Sequence, residues 1–236
     1  MKSVSTRVLP LILLSLFSGL STNAVAFTTF RGTVEKVVDG DTIRFRPNGM
    51  APEEKAWSIR MLSTDTPETH LPAPGGIKSQ GYWGEAAHEQ LASIIAVGET
   101  VEVDNYGSDH YGRVLGRIFK RGNIDVNLEM MKSGWAALYV ICDGDSCDDK
   151  ESYREACDMA MDNGDGIFNP RKRLPQLPFI FRSIHQQRPL SKFVGNVQTG
   201  KYYPPEQYGK VPLCDRIFFM SVTDARKKGY TPAVTN

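Results

Sequence analysis

Cysteine and histidine are scarce in this sequence, with four of each among 236 residues. The histidines (His70, His88, His110 and His185) are scattered, and no G-x-S-x-G element accompanies any serine. Histidine-centred and serine-nucleophile sites are therefore not indicated. Paired C-x-x-C elements are missing too, which excludes the common cysteine spacing of a zinc site. No internal repeat is visible, so a solenoid is excluded. Beyond the first 26 residues there is no apolar run near the roughly 20 residues that a membrane span needs. The net charge is only +1, so no single-signed field covers the whole chain.

What is present begins with an export signal. Lys2 and Arg7 give a positive start, Leu9 to Leu20 is mostly apolar, and Ala24-Val25-Ala26 offers small residues for cleavage. A basic start, a short apolar core and an A-x-A end describe a cleaved secretory signal over residues 1–26. With no lipobox cysteine, the expected destination is the periplasm or the medium, and the mature chain is expected to lack a membrane span. In such a compartment Cys142, Cys147, Cys157 and Cys214 favour disulfides over metal binding. They allow three complete pairings, among which the sequence does not choose.

The small net charge hides an asymmetry. Residues 168–236 hold 12 Lys and Arg against 3 Asp and Glu, whereas 27–167 hold 14 basic and 24 acidic residues. A basic tail can bind a polyanion through counterion release. It can equally be solvated, or dock on the acidic part of its own chain.

Hydrophobic periodicity divides the front part into short elements. Thr33 to Arg46 reads as two strands joined at Asp39-Gly40-Asp41, an Asp-Gly turn of the kind that uses φ > 0. Trp57 to Leu62 reads as a third strand, and residues 71–81 as a Pro- and Gly-rich loop. Ala87, Leu91, Ile94 and Ile95 fall on one helical face closed by Gly98. Strands follow at Thr100 to Val103 and Val114 to Phe119. Helices are then expected over Ile124 to Ser133 and around Tyr153 to Met161. The order β-β-β-α-β-β-α-α suits an α+β fold, an OB-fold-like five-stranded β-barrel with about three packed helices. After residue 170, residues 171–192 read as a basic, Pro-containing linker or arm. Residues 193–236 read as a small basic C-terminal extension, with strands at Phe193 to Asn196 and Ile217 to Phe219 and a helix end within Ala225 to Tyr230.

Three polar clusters interrupt the apolar pattern: Asp39-Gly40-Asp41-Thr42, Asp65-Thr66-Pro67-Glu68-Thr69 and Asp109-His110-Tyr111-Gly112-Arg113. Each alone is an ordinary turn. Together they supply carboxylates from two separate turns and two arginines at strand positions, Arg60 and Arg113. An arginine between Ile59 and Met61 needs a compensating anion. Carboxylates suit a hard divalent cation, and paired guanidiniums suit a phosphodiester.

In order and spacing these motifs, with Val38 before the first cluster and Arg60-Met61-Leu62 before the second, resemble those of the thermonuclease (staphylococcal-nuclease-like) family over residues 30–168. The resemblance implies a hydrolase, a calcium-dependent nuclease that cuts DNA and RNA and leaves 3′-phosphate ends. It implies that Asp41, Asp65 and the Thr66 carbonyl bind Ca2+, that Glu68 activates or positions water, and that Arg60 and Arg113 bind the phosphate. Tyr111 and Tyr139 match substrate-contacting tyrosines, and Asp39 matches a carboxylate just outside the metal shell. The expected state is a monomer with no stable protein partner. The alternative is a non-catalytic OB-fold module that binds nucleic acid or protein. The insert Cys142 to Lys150 departs from the family pattern. Neither it nor Asp162 to Gly166 has the glycine and glutamate positions of an EF-hand, and the latter reads as a helix-ending turn.

Overall fold

A computed structural model describes residues 27–144, 146–147 and 149–233; the secretory signal expected over residues 1–26 lies outside them. The elements carrying the site are β1 (Thr28–Val37), β2 (Thr42–Pro47), β3 (Trp57–Met61), α1 (Tyr82–Ile94), β4 (Thr100–Ser108), β5 (Val114–Lys120) and α2 (Val126–Lys132). After them come β6 (Val140–Asp143), α3 (Glu151–Asn163), α4 (Pro178–His185), β7 (Phe193–Asn196), β8 (Lys201–Tyr203), β9 (Arg216–Phe219) and α5 (Val222–Lys227).

β1, β2 and β3 form an antiparallel meander in which Val37 faces Ile43 and Thr42 faces Arg60. β4 pairs with β1 and β5 with β4, both antiparallel. The circuit closes through a parallel pairing of β3 with β5, Ile59 opposite Val114 and Met61 opposite Gly116. This is a closed, mixed five-stranded barrel with helices against it, as the order of strands and helices implies. Alternation along the strands sends Val34, Ile43, Phe45, Ile59, Met61, Val103 and Ile118 into the core. α1 covers the core with Ala87 and Leu91, two of the residues whose spacing marks its apolar face.

α2 is fastened to the barrel by a buried amide. Asn127 is fully buried; its Oδ1 accepts from the Ile118 N–H at 3.1 Å. Its Nδ2 donates to the carbonyls of Leu62 at 3.0 Å and Gly116 at 3.2 Å. Leu62 is the residue after β3, so this side chain fixes the point where the chain leaves the barrel towards Asp65. A two-residue ladder then pairs Thr64–Asp65 with Ala137–Leu138.

A second sheet contains β6, β9, β7 and β8, with the short segments Ser146–Cys147 and Thr231–Pro232 at its edges. β6 runs parallel to β9, Val140 opposite Ile217. The tail is therefore woven into one sheet with residues 140–147. Its Cys214, Ile217, Phe219 and Ala225 share one core with α3 and the barrel. Two disulfides form, Cys142–Cys147 and Cys157–Cys214; the second joins α3 to the tail.

Two segments depart from expectation. Leu71–Ala73 and Gly76–Lys78 pair as a small hairpin where the sequence reads as loop. Three-residue strands are too short to show a period, and Gly75 and Gly76 supply the positive φ of the turn. Residues 171–192, read as a Pro-containing linker or arm, contain α4. Pro178 sits in its first turn, where the missing N–H costs nothing and the fixed φ is already helical. Among the described residues no helix is long and apolar enough to cross a membrane.

Candidate active site

The site assembles at one end of the barrel, starting from the Asp39-Gly40-Asp41 turn. Asp39 Oδ1 accepts from the Asp41 N–H at 3.0 Å, and the Met61 N–H donates to the Asp41 carbonyl at 2.8 Å. Gly40 is not among the positive-φ glycines, contrary to the expectation for an Asp-Gly turn. Space is what demands glycine here. A Cβ would lie 2.7 Å from Thr66 Oγ1 and 2.8 Å from Ala87 Cβ, so the turn packs directly on the second cluster and on α1.

Asp41, Arg60, Asp65, Thr66 and Glu68 come together as the motifs require. Asp41 Oδ2 accepts the Thr66 N–H at 2.8 Å and lies 3.1 Å from Arg60 Nη2. The same nitrogen donates to Asp65 Oδ1 at 3.0 Å, while Arg60 Nη1 donates to the carbonyls of Met61 and Thr64. Arg60, expected to bind phosphate, thus also crosslinks two carboxylates. A second guanidinium, absent from the sequence expectation, continues the chain. Arg182 of α4 places Nη1 2.7 Å from both Asp65 Oδ1 and Glu68 Oε1. The result is an alternating series, Asp41, Arg60, Asp65, Arg182, Glu68.

Electrostatics sorts these carboxyls. Burial, reinforced by the charge of Asp41, pushes Asp39 up to about 7. Burial also works against ionisation of Asp41, but the Arg60 guanidinium and the Thr66 N–H outweigh it and hold Asp41 below the usual carboxylate range. For Glu68 burial prevails over Arg182 and its affinity for a proton is raised. Arg182 is itself opposed by burial, yet the charges of Asp65 and Glu68 raise its pKa, so it stays protonated. Asp41 and Glu68 are thus pushed in opposite directions, and strongly perturbed groups of this kind gather at functional sites.

Residues 58–170 match the family model described as Staphylococcal nuclease homologue. The chain carries a staphylococcal nuclease homologue domain. A Bacillus subtilis (strain 168) protein named Endonuclease YhcR is 33% identical over 204 residues, which is 85% of this chain and 16% of that protein. An Escherichia coli protein named as an uncharacterized endonuclease is 34% identical over 108 residues, 46% of this chain and 60% of its own length. The chain thus spans less than two thirds of either relative. A Methanocaldococcus jannaschii protein, MJ1439, is 29% identical over 161 residues, 59% of this chain and 72% of its own length.

The nuclease-homologue domain as matched does not contain the whole cluster, because Asp41 precedes residue 58 and Arg182 follows residue 170. The second position escapes motif reading for a plain reason: Arg182 meets Glu68 across 114 positions of sequence. The basic excess of the tail was its only signal. Gln80 is a second such residue. Its N–H donates to the Glu68 carbonyl and its Oε1 accepts from the Glu68 N–H, while its Nε2 reaches the Gln176 carbonyl at 2.8 Å.

Arg113 pairs with a carboxylate outside this series, Asp109. Its Nε and Nη2 donate to Asp109 Oδ2 at 2.8 and 2.7 Å, and Asp109 Oδ1 accepts the N–H groups of Tyr111 and Arg113. Burial of the Asp109 carboxyl is outweighed by these donors, and its pKa is lowered. Tyr111 is exposed, and its hydroxyl accepts from Arg188 Nη1 at 2.9 Å. Tyr139 stacks on Phe179 of α4, with ring centroids 5.4 Å apart, and burial pushes its hydroxyl up to about 12.

The donor set fits a hard cation. Among the described residues no three His, Cys, Asp or Glu side chains gather as a ready-made cage. Two carboxylates are close together, however, and Asp65 divides its oxygens. Oδ1 takes both guanidiniums, while Oδ2 is buried with no hydrogen-bond partner. An orphaned carboxylate oxygen in the interior calls for a positive ligand. Oxygen donors with room for several waters are the preference of calcium or magnesium rather than of zinc or copper.

Proposed function

We propose that this protein is a secreted or periplasmic nuclease that hydrolyses phosphodiester bonds of DNA and RNA with Ca2+, leaving 3′-phosphate ends. The observation that carries this reading is the Asp41–Arg60–Asp65–Arg182–Glu68 series with its unpaired Asp65 Oδ2. The nuclease-homologue domain and the relatives named endonuclease support it. The alternative, a non-catalytic nucleic-acid- or protein-binding module, gives no reason to keep buried ionised carboxyls, which are costly to desolvate. Export agrees with two disulfides and with the expected signal over residues 1–26.

Asp41, Asp65 and the Thr66 carbonyl would hold the cation. When bound, it polarises a phosphoryl oxygen and supplies an ordered water. Glu68, whose proton affinity is raised, would take a proton from the attacking water, a contribution of about 10²–10⁴-fold. Arg60 and Arg113 would offset the charge that grows on the phosphoryl oxygens, a preorganised effect that acts without solvent rearrangement. Asp109 orients Arg113 and Gln80 orients Glu68. Tyr111 and Tyr139 would contact the nucleotide.

The test uses purified mature protein with plasmid DNA and with single-stranded RNA, in Ca2+, in Mg2+ and in excess chelator. Calcium-dependent cutting of both substrates is expected, and the products should carry free 5′-hydroxyls that a kinase labels without prior phosphatase treatment. Absence of cation-dependent cutting would overturn the reading. Binding without cutting would favour the non-catalytic alternative.

A further inference from the structure

Beside the carboxylate series lies a pocket of about 250 Å³ between the segment 179–192 and Tyr139. Three basic residues line it, Arg182, Arg188 and Lys192, and no Asp or Glu does. Arg182 is common to both places, since it reaches Asp65 and Glu68 while also lining the pocket. Arg188 extends the positive wall outward and holds the Tyr111 hydroxyl. Lys192 is half-buried and makes no ion pair or hydrogen bond among the described residues. Its ammonium sits 6.0 Å above the Tyr139 ring. Burial, together with the charge of Arg182, lowers its pKa. A half-buried ammonium held beside a guanidinium, with no counter-ion of its own, leaves an uncompensated positive field.

We propose that Arg182, Arg188 and Lys192 form a phosphate-binding subsite for the nucleic-acid strand, taking the phosphate next to the scissile one. This inference rests on the nuclease reading of the neighbouring carboxylates. Three features favour a strand phosphate over a free anion. The shared Arg182 joins the pocket to the cluster where cleavage would occur, so one strand can occupy both. Tyr139 and Phe179, stacked on each other along the wall, present aromatic surface of the kind that nucleotides pack against. Arg188 also links the pocket to Tyr111, which the motifs place at the substrate. The subsite is built from the chain beyond residue 170, outside the matched domain. The similarity to the Bacillus subtilis protein covers 85% of the chain, so wherever it begins it runs through residues 179–192.

The experiment compares the whole mature protein with its Arg188→Gln/Lys192→Gln variant, each checked for native circular dichroism. In chelator, where no strand is cut, binding of a fluorescent single-stranded oligodeoxynucleotide is followed by anisotropy against salt. Loss of this one phosphate contact is expected to flatten the slope of log K against log salt by about 0.7, the value per phosphate on single strands. In calcium, the wild-type preference for a trinucleotide with two phosphates over a dinucleotide with one is expected to fall about tenfold, the worth of a charge-assisted hydrogen bond. An unchanged slope and an unchanged length preference would overturn the subsite. If the wild type binds with the steeper slope yet cuts nothing, the nuclease reading fails while the anion subsite stands. Should the double variant not fold, Arg188→Gln alone, beside the charge-preserving Lys192→Arg, makes the same comparison at an exposed position.

Discussion

At the scale of single residues, the two oxygens of Asp65 have different tasks. Oδ1 accepts from Arg60 and Arg182, and Oδ2 is buried with no hydrogen-bond partner. Removing Arg182 leaves Asp41, Asp65 and Glu68 facing a single arginine, and takes from Glu68 its ion pair with Arg182. Arg182→Ala is therefore expected to lower kcat by about 10–100-fold, the usual range for a group that orients a metal-site residue. The checks are steady-state kinetics and a calorimetric calcium titration, and calcium affinity should not fall, since a competing cation has been removed. Equal turnover would show that Arg182 does not position Glu68. Asp109 allows a prediction about pH. Its pKa is lowered in the fold, so its stabilising bonds are fully present above the unfolded-state value near 4 and fade as pH falls through the folded value. Asp109→Asn should be less stable than wild type at pH 7, with the difference shrinking below pH of about 4 in denaturant melts. A gap that does not change with pH would mean that the turn, not the charge, matters.

At the scale of elements, the barrel and its three motif turns were legible because period-2 alternation, turn dipeptides and one helical face each leave a local signature. α4 was not legible. Eight residues between prolines give little period, and Pro178 reads as a breaker until the helix is seen to start there. Gly40 was legible as a turn residue but for the wrong cause, since contact with Thr66 and Ala87 is not encoded nearby in sequence. Among the three readings open for the basic tail, Arg182 shows docking on the chain's own carboxylates. The junction of β3, α2 and the Asp65 turn depends on Asn127. Asn127→Ala takes the side-chain partner from the Ile118 N–H and the Leu62 carbonyl, while the Gly116 carbonyl keeps the Leu62 N–H. Unsatisfied buried groups cost about 1–3 kcal/mol, so a loss near the upper end is expected in urea melts with unchanged m-value. Turnover should fall at temperatures where the variant is still folded, because Leu62 leads directly into the site. A loss under about 0.5 kcal/mol, the level of a neutral surface change, would mean that water replaces the amide.

At the scale of the whole molecule, the two disulfides are unequal. Cys142–Cys147 spans 5 positions within a strand pair, whereas Cys157–Cys214 spans 57 and closes a loop holding α4, Arg182, Arg188 and Lys192. Loop-closure entropy grows with the logarithm of length, so the long bridge should contribute about 4 kcal/mol and the short one about 2 kcal/mol. Replacing both cysteines of each pair with alanine separates them. The Cys157/Cys214 variant is expected to melt about 10 °C below wild type, and the Cys142/Cys147 variant about half as far below. The long bridge has a second consequence, because it limits how far the segment 178–192 can drift from the carboxylates. Its loss should raise KM for oligonucleotides even well below the melting temperature, while the short bridge, outside that loop, should not produce this shift. A KM that follows only the fraction of folded protein in both variants would show that packing of Phe179 on Tyr139 and Phe218 holds the arm without covalent help.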